Sequence, residues 1–230
     1  PEQPVKIYQN MDGRVSRLKY EDTPEAWVVR ETIAFMRQAK AEGRPFIVQA
    51  SLPRPHEIYA PSEPFWSIYE ESKLTLPPSA DYDLSLKAPH LRRKVEEWRT
   101  GEWTLFEPRT YEAGRLRKHH GYLGCVSMMD HAVGELLAGL RDLGLEEGTI
   151  VIYSSDHGDY ACEHGIIEKA PGICADAVTR IPYIWRWPGR FWPWGRTVWE
   201  GTRGRPESGS TSGRRRRGRR ADLRRGTDAR

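Results

Sequence analysis

A carboxylate and an imidazole lie side by side at the end of a short apolar run. Asp156 and His157 follow residues Thr149–Tyr153, whose β-branched and aromatic composition predicts a buried strand. Carboxylate oxygens and imidazole nitrogens are both ligands for divalent cations. Open α/β sheets bind ligands at the carboxyl ends of their strands, and Gly158 permits a sharp turn directly afterwards. The pair is therefore a candidate metal site.

Two more side chains could join the same site. Lys169 follows twelve residues after His157, and His56 follows a second predicted buried strand, Pro45–Leu52. Taken alone, each feature also has an ordinary structural interpretation. An Asp at a strand end commonly makes a turn hydrogen bond, and His56 lies in a loop that Pro55 stiffens.

The order of these motifs along the chain resembles the sulfatase family of the alkaline-phosphatase superfamily. The series is S-S-D-H-G-D, E-H-G, Lys169, A-V-T-R-I-P and P-G-R. The resemblance covers residues 1–190. It implies an α/β fold, a three-layer sandwich of alkaline-phosphatase-like type that is incomplete here. It also implies that Asp156 and His157 bind a divalent cation, usually Ca²⁺ with Mn²⁺ or Mg²⁺ as alternatives, and that Lys169 contacts the sulfate oxygens.

His56 corresponds by the same resemblance to the histidine of the family pattern P-H-x-P-F, which donates a hydrogen bond to the sulfate ester. The match is partial, because Glu57-Ile58-Tyr59 replaces the usual x-P-F. With this assignment the catalytic candidates are His56 and Lys169. Such a site would stabilise charge on the oxygens of a sulfate ester while a cation polarises them.

Two parts of the family pattern are missing from the sequence. The nucleophile motif C/S-x-P-S/A-R, whose first residue becomes formylglycine, does not occur at Cys125, Cys162 or Cys174, and there is no Asp-Asp pair. Two protein ligands are few for Ca²⁺, which prefers about six to eight oxygens. We therefore expect a partial sulfatase domain that carries half of the site and is inactive by itself.

Three alternatives for the function remain open at this level. The activity that the resemblance implies is hydrolysis of a small-molecule or glycan sulfate ester. A relative that hydrolyses phosphonate monoesters or phosphodiesters is the first alternative, because such relatives share a His after the metal-binding Asp. The second is a non-catalytic remnant, and the third is a nucleic-acid binder that uses an arginine-rich tail, although we do not expect nucleic acid as the partner.

Charge is unevenly distributed along the 230 residues. The net charge is +4, but residues 201–230 contain eleven arginines and three acidic residues, so residues 1–200 carry −4. This tail has too few apolar residues to form a packed core. The sequence predicts a domain at 1–190 and a disordered Trp- and Arg-rich tail at 191–230, either solvated or arising from an out-of-frame translation.

Other sequence features narrow the class of protein. Three cysteines without C-x-x-C spacing argue against a disulfide framework and a structural zinc site. No apolar run approaches the ~18 residues of a membrane span. The sequence starts at Pro1 without a recognisable leader, which suggests a fragment truncated at both ends. The cellular compartment stays open.

Local signals predict the elements that would position the site. Thr23-Pro24 predicts the start of a helix that ends at Gly43, and Tyr111–Gly144 has the clearest helical periodicity. Leu91–Arg99 predicts a short charged helix, and Pro182–Trp187 predicts a strand. The apolar residues predicted to face the core are, in the first helix, Trp27, Val28, Ile33, Phe35, Met36 and Ala39, and in the long helix, Tyr122, Val126, Met129, Val133, Leu136, Leu137 and Leu140.

Overall fold

Two long helices form the main body of the described chain. The computed structural model describes residues 13–85, 87–100, 110–166, 168–169 and 175–188. Helices α1 (Pro24–Ala41) and α3 (Tyr111–Asp142) pack against each other, and α2 (Pro89–Arg99) lies between them in the sequence. Strand β1 (Val151–Ser154), the one-turn helix α4 (Asp176–Thr179) and strand β2 (Tyr183–Arg186) follow in that order. Single 3₁₀ turns occur at Tyr20–Asp22, Glu71–Lys73, Glu146–Gly148 and Glu163–Gly165.

The ends of both long helices agree with the local signals. The Thr23 hydroxyl accepts a hydrogen bond of 3.3 Å from the amide of Ala26, which caps α1. Thr110 caps α3 in the same way. Gly43 and Gly144 follow the two helices with φ of +63° and +65°. This left-handed conformation strongly favours glycine and stops each helix.

The buried face of α3 differs from the prediction by about one residue position. Leu140 is buried, as predicted, but the rest of the predicted apolar stripe is half-buried, and Met128 rather than Met129 is fully buried. A Cβ atom at Gly121 would lie 2.4 Å from the carbonyl oxygen of Tyr59. The helix therefore turns its small residues towards the neighbouring loop, because only they allow so close an approach of the backbone. The residues buried on this face include Gly114, Lys118, Gly121, Gly124, Cys125, Met128 and Ala132.

The buried face of α1 was also only partly predicted. Met36 and Ala39 are buried as expected, whereas Trp27 is 58% exposed and Phe35 is 41% exposed. Val29 takes their place in the core at 4% exposure. Small and medium side chains face α3 here, so the largest apolar residues are left on the outside.

The sheet in the described residues is small and antiparallel. β1 pairs with β2, with Ile152 opposite Trp185. The strand predicted at Pro182–Trp187 is thus confirmed. The strand predicted at Thr149–Tyr153 also forms, but it is not fully buried: exposure alternates along it, and Ile152 is 50% exposed. One face of this strand packs on the protein while the other faces solvent.

The prediction of a strand at Pro45–Leu52 was wrong. Residues 44–53 have no regular secondary structure, and Ile47 is 97% exposed. A strand forms only where a neighbour completes its hydrogen bonds. Within the described ranges, β1 and β2 pair only with each other, so this apolar segment has no strand beside it.

An apolar cluster lies behind the loop that follows β1. Helix α2 supplies three of its members, the start of α3 supplies one, and the loop itself supplies two. Burial of these side chains fixes the loop against the helices. The members of the cluster are Leu91, Val95, Trp98, Tyr111, Tyr160 and Ile166.

The predicted α/β architecture is present in part, as helices with a two-stranded sheet. The predicted domain boundary at 190 and the tail at 191–230 lie outside the described residues. Where the structure describes helices, none combines the length and the apolar character needed to cross a membrane.

Candidate functional site

His56 and Lys169 are in direct contact although 113 residues separate them in the sequence. Lys169 Nζ lies 2.7 Å from His56 Nε2. His56 Nδ1 lies 2.9 Å from the carbonyl oxygen of Glu57, which can only accept a hydrogen bond. The proton therefore lies on Nδ1, and Nε2 accepts a hydrogen bond from the Lys169 ammonium. The Glu57 carboxylate is 3.1 Å from His56 Nδ1 and 4.0 Å from Lys169 Nζ.

A buried ion pair supports the loop that carries His56. Arg54 Nε is 3.5 Å from Glu25 Oε1, and the Glu25 side chain on α1 is 1% exposed. The same guanidinium donates a hydrogen bond of 2.9 Å to the carbonyl oxygen of Ile58. The backbone on both sides of His56 is thus held to helix α1.

Asp156 and His157 lie next to each other just beyond β1. Asp156 Oδ1 accepts a hydrogen bond of 2.9 Å from the amide of His157. His157 Nδ1 donates to the carbonyl oxygen of Gly158 at 2.8 Å, which leaves a lone pair on Nε2. His157 Nε2 is 3.6 Å from Asp156 Oδ2, and the Asp156 side chain is 86% exposed.

This separation lets one cation contact both side chains, since metal–ligand distances are about 2.0–2.6 Å. The donor set of one carboxylate and one imidazole fits a divalent cation. Across the described ranges, however, no three His, Cys, Asp or Glu side chains are grouped closely enough to hold a metal ion. The pair therefore fits as part of a metal site and leaves most of the coordination to other ligands.

Gly158 is needed for close packing rather than for a turn. A Cβ atom there would lie 2.0 Å from the carbonyl oxygen of Ala177, and its amide donates a 2.8 Å hydrogen bond to Val178. The sharp turn predicted at Gly158 comes later, where Ala161 and Cys162 have φ of +45° and +81°. The chain therefore turns three residues beyond Gly158, in a conformation that residues other than glycine rarely adopt.

Three side chains that were not predicted as site residues meet in the interior next to the His56 loop. Asp159 Oδ2 accepts a hydrogen bond of 2.9 Å from the hydroxyl of Tyr59, and Asp159 Oδ1 is 3.3 Å from Lys118 Nζ. The Lys118 side chain is 0% exposed. Two signals were present in the sequence: Asp159 belongs to the S-S-D-H-G-D motif, and Lys118 lies four residues before the predicted apolar position Tyr122 on the same helix.

These three residues connect the two candidate pairs. Among the described residues no hydrogen bond or ion pair joins His157 or Asp156 directly to His56 or Lys169. Tyr59 follows His56 by three residues and Asp159 follows His157 by two. The contact between Tyr59 and Asp159 therefore brings the two loops together.

A further acidic residue borders the His56–Lys169 contact. Burial raises the pKa of Glu168 above its ordinary value, and the nearby charge of Glu57 raises it further. Lys118 and Lys169 act in the opposite direction. The site thus combines two cations and an imidazole with acidic groups, one of which has a raised pKa.

Comparison with known proteins gives the same family that the motifs suggested. The model of the sulfatase family matches residues 6–202. An arylsulfatase of Clostridium perfringens is 28% identical over 174 residues, covering 75% of this chain and 34% of the relative. A choline-sulfatase of Rhizobium meliloti is 25% identical over 175 residues, covering 76% of this chain and 33% of the relative. The chain thus spans about a third of the length of these relatives.

A solved structure shares the fold. The phosphonate monoester hydrolase SpPMH from Silicibacter pomeroyi superposes with a TM-score of 0.63 at 21% identity, covering 75% of this chain and 34% of that one. At this level of identity the similarity concerns the fold alone. Since the family model matches well over half of the chain, the protein belongs to the sulfatase family.

Proposed function

We propose that this chain forms part of the site of a sulfuric ester hydrolase. In this proposal His56 and Lys169 bind the oxygens of the sulfate group, and Asp156 and His157 contribute to a divalent cation site. The contact of 2.7 Å between Lys169 Nζ and His56 Nε2 is the observation that carries the proposal. It joins two side chains that are distant in the sequence in a chain of the sulfatase family.

The charges around this contact suit an anionic group. Lys169 presents an ammonium with three donors, and its side chain is 34% exposed, so a ligand can reach it. A sulfate oxygen that takes the place of His56 Nε2 would accept a charge-assisted hydrogen bond from Lys169. Protonation of Nε2 would make His56 a second donor to the anion.

The cation would neutralise part of the negative charge of the ester. Asp156 Oδ2 and His157 Nε2 are the two atoms that would hold it. Ca²⁺ is the ion we favour, with Mn²⁺ and Mg²⁺ as alternatives. The hard oxygen ligand suits all three ions.

The nucleophile is the part that this chain does not provide. Burial raises the pKa of Cys125 and of Cys162 to about 11, which keeps both as neutral thiols near pH 7. Both cysteines are fully buried, and neither lies in the formylglycine motif. Cys174 lies outside the described residues. We propose that the 230 residues by themselves bind a sulfate ester without turning it over.

Hydrolysis of nitrophenyl sulfate by the purified chain tests this proposal. We expect a rate indistinguishable from that of buffer, because loss of the nucleophile costs several orders of magnitude. Sulfate binding, measured by calorimetry, should persist. Turnover that is abolished in Asp156→Ala would contradict the proposal that the chain is inactive. Absence of sulfate binding would contradict the proposal that His56 and Lys169 bind sulfate.

Phosphonate monoesters are the second candidate ligands, because His157 follows Asp156 as in relatives that hydrolyse them. Calorimetry with phenylphosphonate in place of sulfate distinguishes phosphonate monoesters from sulfate esters as the ligands. Tighter binding of phenylphosphonate than of sulfate, lost in Lys169→Ala, would favour the alternative. A small or glycan sulfate ester remains the substrate class that we propose.

A further inference from the structure

Asp159 uses both of its carboxylate oxygens to join separate parts of the chain. Oδ2 accepts a hydrogen bond of 2.9 Å from the hydroxyl of Tyr59. Oδ1 accepts one of 2.7 Å from the amide of Ala161 and lies 3.3 Å from Lys118 Nζ. One carboxylate therefore contacts the His56 loop, its own loop and helix α3.

The partners of Asp159 are buried, so these contacts are not replaced easily by water. The side chains of Tyr59 and Lys118 are each 0% exposed, and Asp159 is 14% exposed. Lys118 Nζ also lies 4.5 Å from the centre of the Tyr59 ring, a cation–π contact. Burial lowers the pKa of Lys118, and the charge of Asp159 opposes that shift. Each of the three side chains therefore finds a polar or cation–π partner in the other two.

The position of this cluster along the chain relates it to the site. The loop between Asp159 and Ile166 includes three residues other than glycine with positive φ: Ala161, Cys162 and His164. Such conformations persist only where the surrounding contacts impose them. The hydrogen bond from the Ala161 amide to the Asp159 carboxylate fixes one end of this loop, and the burial of Ile166 fixes the other.

We propose that the cluster of Tyr59, Asp159 and Lys118 is a positioning element that sets the distance between the His56–Lys169 pair and the Asp156–His157 pair. It touches neither substrate nor cation. It acts by holding the His56 loop and the loop after β1 at one point on helix α3. This inference rests on the proposed function only in treating the two pairs as one site.

The test compares two substitutions that remove the same chemical group. Tyr59→Phe removes the hydroxyl that contacts Asp159. Tyr20→Phe is the matched control, because the Tyr20 hydroxyl donates to the Glu135 carboxylate on the same helix α3. The control thus loses a phenol–carboxylate hydrogen bond whose partners are not among the site residues.

Two readouts are recorded for each variant of the full chain. The first is the ¹⁵N chemical shift of His56 Nε2, which reports the contact with Lys169. The second is the dissociation constant for inorganic sulfate. We expect Tyr59→Phe to move the His56 signal and to weaken sulfate binding by about two- to tenfold, the effect of one hydrogen bond. Tyr20→Phe should change neither.

Equal behaviour of the two variants would overturn the inference, because it would leave the cluster a merely structural role. If the unmodified chain binds no sulfate, the proposed function is wrong. In that case the His56 signal alone shows whether the Tyr59–Asp159–Lys118 cluster positions the His56–Lys169 pair. Asp159→Asn serves as the second variant, since it keeps the size of the side chain while removing its charge. A folded Asp159→Asn chain with an unchanged His56 signal would also overturn the inference.

Discussion

The two halves of the candidate site differ in what holds them. His56 and Lys169 touch each other, and the His56 loop is joined through Tyr59 to a buried cluster that includes Lys118, whose side chain is completely buried. Asp156 and His157 touch each other at the end of β1, where the Asp156 side chain is 86% exposed. In our proposal, the half that binds the anion is therefore supported by buried contacts of this chain, whereas the half that binds the cation would need further ligands. Four predictions test this difference.

The largest effect is expected from Lys118→Met. The substitution leaves the Asp159 carboxylate without its buried cation, and breaking such a pair costs about 3–5 kcal/mol in the free energy of unfolding. Lys94→Met is the control, because Lys94 pairs with Glu97 on the surface of α2. An exposed pair of that kind contributes about 0–1 kcal/mol. Urea unfolding measures both free energies, and similar losses for the two variants would mean that the Lys118–Asp159 pair supports the His56–Lys169 half no more than an exposed ion pair would.

Sulfate binding should depend on the supported half alone when no metal is added. Lys169→Ala removes a charge-assisted donor, which contributes about 1.5–3 kcal/mol, so we expect at least about a tenfold weaker affinity. Asp156→Ala should leave the affinity within about twofold. The control is Lys73→Ala, which removes an exposed cation that pairs with Glu70. Calorimetry with sodium sulfate at constant ionic strength gives the constants, and equal losses in Lys169→Ala and Lys73→Ala would point to nonspecific charge.

Cation binding should be weak and should depend on the exposed half. Two protein ligands leave most of the six to eight positions around Ca²⁺ to water, so we expect a dissociation constant of about a millimolar or weaker. His157→Ala should weaken it further by only a few fold, because little affinity is present to lose. Calcium titration by calorimetry measures this. A submicromolar constant would mean that the chain holds ligands outside the pair.

The smallest effect concerns Glu168. Its pKa is raised in the folded chain by burial and by Glu57. The protonated carboxyl of such a group stabilises the fold, and this contribution is fully present below the unfolded pKa of about 4.3. It is lost as the pH rises through the higher pKa of the folded chain. Glu168→Gln should therefore raise the midpoint of thermal unfolding slightly at pH 7 relative to the unmodified chain, and should show no gain at pH 4. Glu70→Gln, an exposed control, should show neither trend.

The two halves also differ in how far the sequence could predict them. Asp156 and His157 are neighbours in the chain, so their proximity follows from covalent connection. That His56 and Lys169 share a site was expected because the motifs resemble those of the sulfatase family and because His56 follows a predicted strand, although that strand does not form. The buried pair of Lys118 and Asp159 was not predicted, because a lysine on a helix is usually solvated.

What the sequence by itself determined are features that act over a few residues. Thr23 and Gly43 fixed the ends of α1, and Gly144 fixed the end of α3, because caps and left-handed glycines act within one turn. The order of motifs was sufficient to indicate the family.

Only the tertiary structure decided which surfaces meet. The loop around Tyr59 comes so close to α3 that glycine is required at Gly121, and this selects the face on which Lys118 is buried. Its partner Asp159 is 41 residues further along the chain. The segment at Pro45–Leu52 has the composition of a strand and remains irregular for lack of a neighbouring strand. In each case the outcome depends on a partner distant in the sequence, and local preferences carry no information about such partners.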